Sequence, residues 1–409
     1  MTEHEPRDDL ARTDPRYGRP RPDPAMPTVH PDWDPRGTQV QVDPRRAYDQ
    51  MRRSCPVAMG SSGAWTFFKH ADVRAAALDD DTFSSAVSAH LQVPNGMDGA
   101  EHTRFRRLID SYLDHQQMVA LAPTITTVAT RIAAGLHVPG PIDAVELGST
   151  FAVQAQSAWL GWPAELQDEL VSWVAENHAA SRALDRERMA AVAQWFDRII
   201  TSVVTARREL GDAAPLDVTT ELIRDRSLGR ELTDAEITSI LRNWTGGDLG
   251  SMALCTGVLL TYLADHRDLQ LRVRSGVSDT ELDAIIDEVL RIDSPFTANR
   301  RVTTRHTVVG GRPIGPGERV FLNWTAANRD PDAFGDPDEF DPDGNAAHNL
   351  VYGIGRHVCP GRELATMELR ALLRAVLAVT EAILPDTART RRRGRPPVGG
   401  YESAPLLLR

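Results

Sequence analysis

Residues 352–361 read Tyr352-Gly353-Ile354-Gly355-Arg356-His357-Val358-Cys359-Pro360-Gly361 and lead directly into a helical pattern that starts at Arg362. A cysteine at this point lies close to a helix N-terminus, where unpaired N–H groups and the helix dipole lower the pKa of a thiol. The glycines remove Cβ atoms, so the backbone can approach a flat and bulky group. The stretch therefore predicts Cys359 as a thiolate ligand to a haem iron, against the alternative of a buried structural cysteine.

The composition narrows the class of protein. The chain has 409 residues, 41% of them hydrophobic, and a net charge of 46 − 57 = −11. An acidic balance disfavours a nucleic-acid partner. No run approaches the roughly 18–20 apolar residues of a membrane span, and the N-terminus does not read as a signal peptide. Three cysteines without a C-x-x-C pattern indicate a reducing compartment, so we expect a cytoplasmic protein that needs no membrane.

The periodicity of the chain predicts a mainly α fold with small antiparallel β-sheets. Residues 1–40 are rich in Pro, Arg and Asp, which predicts a loosely ordered arm before a single domain over residues 41–409. Helical spacing dominates residues 101–271, and capping boxes at Thr233 and Ser278 open two further helices. Strands are expected at 55–59, 64–68, 302–304, 307–309 and 319–322. The helix after Cys359 is expected to end near Leu384.

The ten-residue stretch resembles the haem-binding loop of the cytochrome P450 family, aromatic-Gly-x-Gly-x-His-x-Cys-x-Gly, and meets every position of it. The resemblance implies the cytochrome P450 fold and haem b. It further implies that Cys359 is the axial ligand, that Gly353 and Gly361 shape the loop, and that His357 points to a haem propionate. Two other stretches support it. Glu288 and Arg291 resemble the family's buried ion pair, and residues 327–342 resemble the segment that precedes the cysteine loop.

His102 and Arg106 stand four residues apart on a predicted helix, so both side chains reach the same side. Carboxylates on a buried porphyrin need cationic, hydrogen-bonding partners, and the spacing resembles the family's H-x-x-x-R propionate site. The alternative is a solvated basic helix face. Arg301 corresponds to the family's other propionate arginine, and the adjacent Arg300 takes that role if the register slips by one.

Residues 244–252 place three glycines in the middle of the long helix that Thr233 opens. Each glycine destabilises a helix by roughly 1 kcal/mol relative to alanine. Three of them in a long helix indicate a kink or a groove against which another group packs. The family has A-G-x-[Asp/Glu]-Thr here, for dioxygen and proton delivery. In this chain Ser251 matches the threonine, Gly250 precedes it, and the acid has moved to Asp248, which shares a helix face with Ser251. The alternative is a small-residue cluster for tight helix packing.

The resemblance implies a soluble, bacterial-type monooxygenase that inserts one oxygen atom from O2 into a small, largely apolar substrate. Electrons are expected from a separate ferredoxin and its reductase with NAD(P)H, steered by Arg104, Arg107, Arg356 and Arg362. Hydroxylation or oxidative dealkylation is the narrower expectation, and tailoring of a natural product is its rival. An H2O2-driven peroxygenase and a non-catalytic haem sensor are the alternatives. Expected pocket walls are residues 84–97, Trp244, Gly247, Leu249 and residues 296–297.

Overall fold

A computed structural model describes residues 31–409 of the chain. Over this range the helices are α1 (Thr38–Val42), α2 (Pro44–Ser54), α3 (His70–Leu78), α4 (Gly99–Tyr112), α5 (His115–Ala134), α6 (Ala144–Leu160), α7 (Gln167–Ala183), α8 (Arg186–Leu210), α9 (Val218–Arg224), α10 (Asp234–Asp265), α11 (Arg267–Arg274), α12 (Asp279–Ile292), α13 (Trp324–Ala327), α14 (Pro331–Phe334), α15 (Pro342–Asn345) and α16 (Arg362–Val379). The strands are β1 (Val57–Met59), β2 (Trp65–Phe67), β3 (Phe83–Ser84), β4 (Gly140–Asp143), β5 (Ala298–Thr303), β6 (Thr307–Val309), β7 (Arg312–Ile314), β8 (Arg319–Asn323), β9 (Ile383–Pro385), β10 (Arg392–Arg393), β11 (Tyr401–Ser403) and β12 (Pro405–Leu408). The mainly α prediction is confirmed.

The strands form small sheets at the edges of the helical body. The largest has the order β1-β2-β8-β5-β3, and a second has the order β4-β12-β9. Among the strands of residues 31–409, every pairing is antiparallel except that of β2 with β8, which is parallel. The largest sheet is therefore mixed, because β8 reaches β2 from a distant part of the chain and not through a hairpin.

Of the arm expected at residues 1–40, residues 1–30 lie outside the described part of the chain. The remaining residues contact the domain. Trp33 forms a bridge to Gly60, and its ring packs edge-on against Phe68. Val40, on α1, is buried in the same small apolar cluster. This segment therefore packs against β1 and β2.

Helix α10 is the centre of the core. Its capping box is present, with Thr233 accepting from the amide of Glu236 while the Glu236 carboxylate accepts from the amide of Thr233. Gly148 of α6 lies so close to α10 that an added Cβ would stand 2.7 Å from Thr256, which lets the two backbones approach. By length and composition alone α10 resembles a membrane span, but 78% of its apolar window is buried within the protein. It is a core helix.

Helix α16 ends at Val379, several residues before the predicted end near Leu384. Its last carbonyls are bound from outside the helix, because the Arg274 guanidinium donates to the backbone oxygens of Leu377 and Thr380 at 2.7 and 2.5 Å. The chain then pairs as β9 with β12. The backbone N–H and C=O groups after Val379 find their hydrogen-bond partners in this sheet. The helix therefore ends although the helical pattern of the sequence continues.

The Glu288–Arg291 pair is buried as expected, with 1% and 0% of the side chains exposed. The contact is bidentate, at 2.7 and 2.8 Å. Arg291 also donates to three backbone carbonyls, those of Asn328, Pro337 and Glu339. The Glu288 carboxylate accepts from the Asp341 amide and the Asn345 side chain. The pair thus ties α12 to the coiled segment 328–345 that leads to the cysteine loop.

Candidate functional site

A cavity with a volume of about 390 Å³ lies between α10 and the loop that carries Cys359. Residues from distant parts of the chain meet around it. The predicted site residues on its wall are Asp248, Ser251, Arg301, Gly353, His357, Cys359 and Gly361. His102 and Arg106 do not line it.

The loop holds the cysteine by backbone hydrogen bonds. The Cys359 amide donates to the carbonyl of Tyr352 at 2.8 Å, which closes the turn. Gly353 and Gly355 have φ values of +72° and +75°, in the left-handed region that favours glycine. At Gly361 an added Cβ would stand 4.0 Å from the Cys359 sulfur. The sulfur therefore lies at the wall of the cavity, next to the N-terminus of α16.

The expected lowering of the thiol pKa does not hold for the protein alone. Burial raises the pKa of Cys359, and the hydrogen bond from the Gly361 amide and the charges of Arg106 and Arg362 oppose that rise without cancelling it. A helix N-terminus is a partial charge, whereas loss of hydration affects the whole thiolate. Coordination to a metal cation deprotonates a thiol outright.

Arg106 binds the backbone of the cysteine loop. Its guanidinium donates to the carbonyls of Val358 at 2.7 Å and Arg356 at 3.2 Å, and it pairs with Asp110 at 2.6 Å. These contacts fix the residue that precedes Cys359. Its assignment as a propionate partner stays a prediction from the sequence, since the structure gives it the role of a clamp.

The His102 ring packs against His357, which lines the cavity, with ring centroids 4.3 Å apart. His102 is 1% exposed, and its Nδ1 has no hydrogen-bond partner among the described residues. Burial, and then the positive charges of His357 and Arg106, lower the pKa of His102 to about 4. An uncharged, unsatisfied ring nitrogen here is suited to receive a polar group of a ligand.

Asp98 joins this edge and was not singled out from the sequence. Burial acts to raise its pKa, but the His357 ring at 3.6 Å and hydrogen bonds from the Ser84 hydroxyl and the Ser85 amide outweigh burial and hold the pKa at about 2. His357 also bonds to the Ser85 hydroxyl at 3.1 Å. In the sequence, an acid that directly precedes a helix is interpreted as an N-cap. The contact of Asp98 with His357, more than 250 positions away, could not be predicted from that pattern.

Arg301, not Arg300, faces the cavity. The two residues alternate on β5, so Arg301 is 6% exposed while Arg300 points to solvent. Burial lowers the pKa of Arg301, and the nearby carboxylates of Asp98 and Asp80 oppose that effect. The same alternation brings Asn299, which the sequence did not suggest, to the cavity wall. A buried guanidinium at this place requires an anionic partner.

Helix α10 forms the opposite wall. Asp248 and Ser251 both border the cavity, as their spacing predicts. Gly247 faces open space, because an added Cβ would have no neighbour within 4 Å. The helix runs without interruption through these glycines, so the predicted groove is present on a continuous helix.

The apolar wall of the cavity differs in part from expectation. Trp244, Phe296 and residues 94–95 line it as predicted. Leu249 instead points into the protein core and is 1% exposed. Thr297 donates its hydroxyl to the Pro397 carbonyl and does not line the cavity. The lining that sequence reasoning missed includes four apolar residues from four separate helices, namely Ile109, Trp159, Leu290 and Trp324.

The four arginines expected to steer a redox partner fall into two groups. Arg104, Arg107 and Arg356 surround one surface groove near the N-terminal half of α4. Arg356 pairs there with Asp80 at 2.9 Å. Arg362 lies in a different groove, against Asp287.

The residues present fit a haem. A cysteine sulfur and a glycine-lined helix face each other across one cavity, and an unsatisfied histidine nitrogen and a buried arginine lie at its edge. A propionate-bearing porphyrin would supply the anion that the buried Arg301 guanidinium requires and the hydrogen-bond partner that His102 Nδ1 lacks. Cys359 would hold the iron, and the glycines on both walls leave room for a flat ring.

Comparisons with known proteins agree with this geometry. The family model described as Cytochrome P450 matches residues 181–391. The erythromycin C-12 hydroxylase of Saccharopolyspora erythraea is 29% identical over 348 residues, covering 80% of this chain and 85% of that protein. The vitamin D(3) 25-hydroxylase of Pseudonocardia autotrophica is also 29% identical, covering 82% and 86%.

Solved structures show the same likeness. A mutant of P450 EryK in complex with erythromycin B superimposes with a TM-score of 0.79 at 26% identity, covering 90% of this chain and 96% of that one. Cytochrome P450 CYP109Q5 from Chondromyces apiculatus reaches 0.80 at 21% identity, a likeness of fold alone.

Proposed function

The chain belongs to the cytochrome P450 family and is a P450 monooxygenase, and from that premise we propose that it hydroxylates or oxidatively dealkylates a small, largely apolar organic molecule. The observation that carries the proposal is the single cavity bordered by both Cys359 and Ser251. A ligand to iron and a hydroxyl suited to proton transfer thus face the same enclosed volume.

Haem b would be the cofactor, with Cys359 to hold its iron and with Arg301, His102, Arg106 and His357 to bind its propionates. When bound, it supplies O2 activation, with one oxygen atom entering the substrate and the other leaving as water.

The chain itself controls water and protons. Trp159, Trp244 and Phe296 present apolar surface to the cavity, which excludes water and orients an apolar substrate. The Ser251 hydroxyl both donates and accepts a hydrogen bond, so it can pass a proton into the cavity and recover one from the Asp248 carboxyl. Burial raises the pKa of Asp248 to about 7, which places its proton in the range that general acid catalysis uses.

The proposal covers two candidate substrate classes, a small aromatic or xenobiotic molecule and a natural product. The aromatic rings on the wall favour the first, because they offer flat apolar contacts. The second is favoured by relatives whose names give them erythromycin or vitamin D(3) as substrates. A panel of both classes, ranked by substrate-dependent product formation, decides between them.

Electrons come from a separate ferredoxin and its reductase with NAD(P)H. The groove of Arg104, Arg107 and Arg356 is the proposed docking site, because a local positive patch on a chain of net charge −11 attracts an acidic partner. Arg362 lies outside this groove and extends the positive surface on the other side of the loop. The compartment proposed for such a redox chain is the cytoplasm.

The test combines ligation with turnover. The reduced protein with carbon monoxide is expected to give the red-shifted Soret band of a thiolate-ligated haem, and Cys359→Ser is expected to lose it. Product formed with ferredoxin, reductase and NAD(P)H supports the monooxygenase. Product formed with H2O2 but not with that redox chain would instead establish a peroxygenase, which the displaced acid at Asp248 makes a specific alternative. No oxidised product under either condition would leave a haem sensor.

A further inference from the structure

The segment 389–395, which contains β10, is rich in arginine, and its arginines are compensated unevenly. Three of them each bind an aspartate at 2.6 Å, in the pairs Arg389–Asp386, Arg391–Asp265 and Arg393–Asp293. Arg392 is 61% exposed and has only a long contact with Glu402, at 3.9 Å. Arg392 and Arg395 are therefore the two arginines of this segment whose charge is least compensated among the described residues.

Arg182, in the last turn of α7, reaches the same part of the protein and lacks good partners. Its Nη2 lies 3.5 Å from the Tyr401 carbonyl oxygen, at the outer limit of a hydrogen bond, and its Nε is buried without a partner. Burial lowers the pKa of Arg182, and Glu402 opposes that effect. A guanidinium stays charged in a protein nonetheless, so this half-buried donor requires an anion.

Three guanidiniums around β10 and β11 form an arginine cluster, composed of Arg182, Arg392 and Arg395. The pairing of the two strands brings them together. It extends to the Gly394 amide, which donates to the Gly400 carbonyl at 2.9 Å, and Arg182 reaches the carbonyl of the next residue. Among residues 31–409, the carboxylate that acts on the cluster is Glu402. Three positive charges thus face one negative charge, so the cluster can bind a further anion.

Helix α7 connects the arginine cluster to the cavity. His178 precedes Arg182 by four positions, so the two side chains lie on the same face of the helix. The His178 ring packs on α10, because an added Cβ at Gly250 would stand 2.9 Å from His178 Nε2. Gly250 directly precedes Ser251, which lines the cavity. The cluster is therefore one helical turn along α7, about 5 Å, from a contact with the cavity wall.

The segment after β10 reaches the cavity as well. Val398, three positions after Arg395, forms a bridge to Phe296, which lines the cavity. The Thr297 hydroxyl donates to the Pro397 carbonyl at 2.7 Å and holds the segment against this wall. The arginine cluster thus lies between α7 and the segment that covers Phe296.

We propose that the arginine cluster binds the anionic end of the substrate, so that the substrate is an organic carboxylate with an apolar body. The apolar body occupies the cavity beside Trp159, Trp244 and Phe296, and the carboxylate accepts hydrogen bonds from Arg182. The guanidinium fork matches the two oxygens of a carboxylate. On a chain of net charge −11 the cluster also offers an anion a local attractive potential. The inference rests on the proposed function, because it names the class of molecule that the same cavity takes.

The experiment measures binding to the haem-loaded protein by isothermal titration calorimetry. The probes are ω-phenylalkanoates of increasing chain length, each compared with its primary amide, which has nearly the same shape and no charge. For at least one chain length the acid is expected to bind about tenfold or more tightly than its amide, because a hydrogen bond between charged groups contributes that much. High salt is expected to narrow the difference. Equal affinities within every pair, or no binding of any acid, would overturn the proposal.

Two variants with opposite expectations assign the preference to the arginine cluster. Arg182→Gln is expected to weaken binding of the acid by about tenfold and to leave binding of the amide unchanged. Glu402→Gln removes the competing carboxylate and is expected to tighten binding of the acid, a gain that a misfolded variant could not give. Arg391→Gln is the matched control, since Arg391 belongs to the same segment but is already bound to Asp265, and it is expected to keep the wild-type preference. An unchanged preference in Arg182→Gln, or an equal loss in Arg391→Gln, refutes the assignment.

Turnover separates this inference from the proposed function. Selective binding of acids without any oxidised product would contradict the proposed function alone. Oxidised products from neutral apolar compounds, without a preference for acids, would leave the monooxygenase in place and overturn the role of the arginine cluster.

Discussion

The buried pair of Glu288 and Arg291 allows a prediction whose size follows from its contacts. Glu288→Gln keeps the shape of the side chain but removes the charge that offsets the Arg291 guanidinium, which is 0% exposed. Breaking a buried pair by removing one charge costs about 3–5 kcal/mol, because the remaining charge is left desolvated. The three backbone carbonyls that Arg291 also binds compensate only in part.

The matched control lies on the same helix. Glu281 of α12 pairs with Arg272 on the surface, where the side chains are 38% and 54% exposed. Glu281→Gln is therefore expected to change the free energy of unfolding by less than about 1 kcal/mol. Urea unfolding of the haem-loaded proteins, followed by circular dichroism, measures both changes.

A second readout of Glu288→Gln follows from the segment that Arg291 holds. The Asn328 side chain accepts from the Leu350 amide, two residues before the haem loop begins. Loosening this segment is expected to speed the transfer of haem to an acceptor protein. If Glu288→Gln costs no more than Glu281→Gln and leaves haem transfer unchanged, the pair does not lock the core behind the loop.

Three further outcomes test other parts of the site. Arg301→Met is expected to weaken haem binding by about 1.5–3 kcal/mol, which is the usual contribution of a hydrogen bond to a charged group. Arg300→Met, on the exposed side of β5, is expected to leave haem binding unchanged. Equal losses for the two variants in a haem-transfer assay would reject the assignment of Arg301. Ser251→Ala is expected to lower the amount of product formed per NAD(P)H consumed by about tenfold or more. Thr245→Ala is the control and is expected to keep that ratio, because the Thr245 hydroxyl is bound to the Leu241 carbonyl at 2.5 Å. An unaltered ratio in Ser251→Ala would contradict a role of Ser251 in proton transfer. Because the pKa of His102 is lowered from 6.5 to about 4 in the folded chain, the haem-free protein is expected to lose stability as pH falls through that interval. A propionate at His102 would shrink this loss in the haem-loaded protein, and His102→Gln would remove the difference.

The sequence predicted those features that depend on local spacing. The cysteine loop, the capping box at Thr233 and the shared face of Asp248 and Ser251 all follow from residues within ten positions of each other. The mainly α fold follows from helical periodicity. Such patterns are legible because a helix or a tight turn imposes its own residue requirements.

Contacts between distant segments could not be predicted in the same way. Asp98 reads as a cap, and no residue near Arg106 in the sequence indicates that its guanidinium binds the Val358 carbonyl. The pKa of Cys359 was misjudged for a related reason, since burial is set by the whole fold and not by the adjacent helix.

Strand β5 has one further consequence, for the way this enzyme can diverge. Its alternate residues Asn299 and Arg301 reach the same cavity, while Arg300 between them faces solvent. The backbone pairing with β8 fixes the interval between the two inward side chains. A change at position 299 therefore alters the chamber without moving the arginine two positions on. Substrate preference and cofactor retention therefore depend on two different positions of one strand, and selection can change either position without the other.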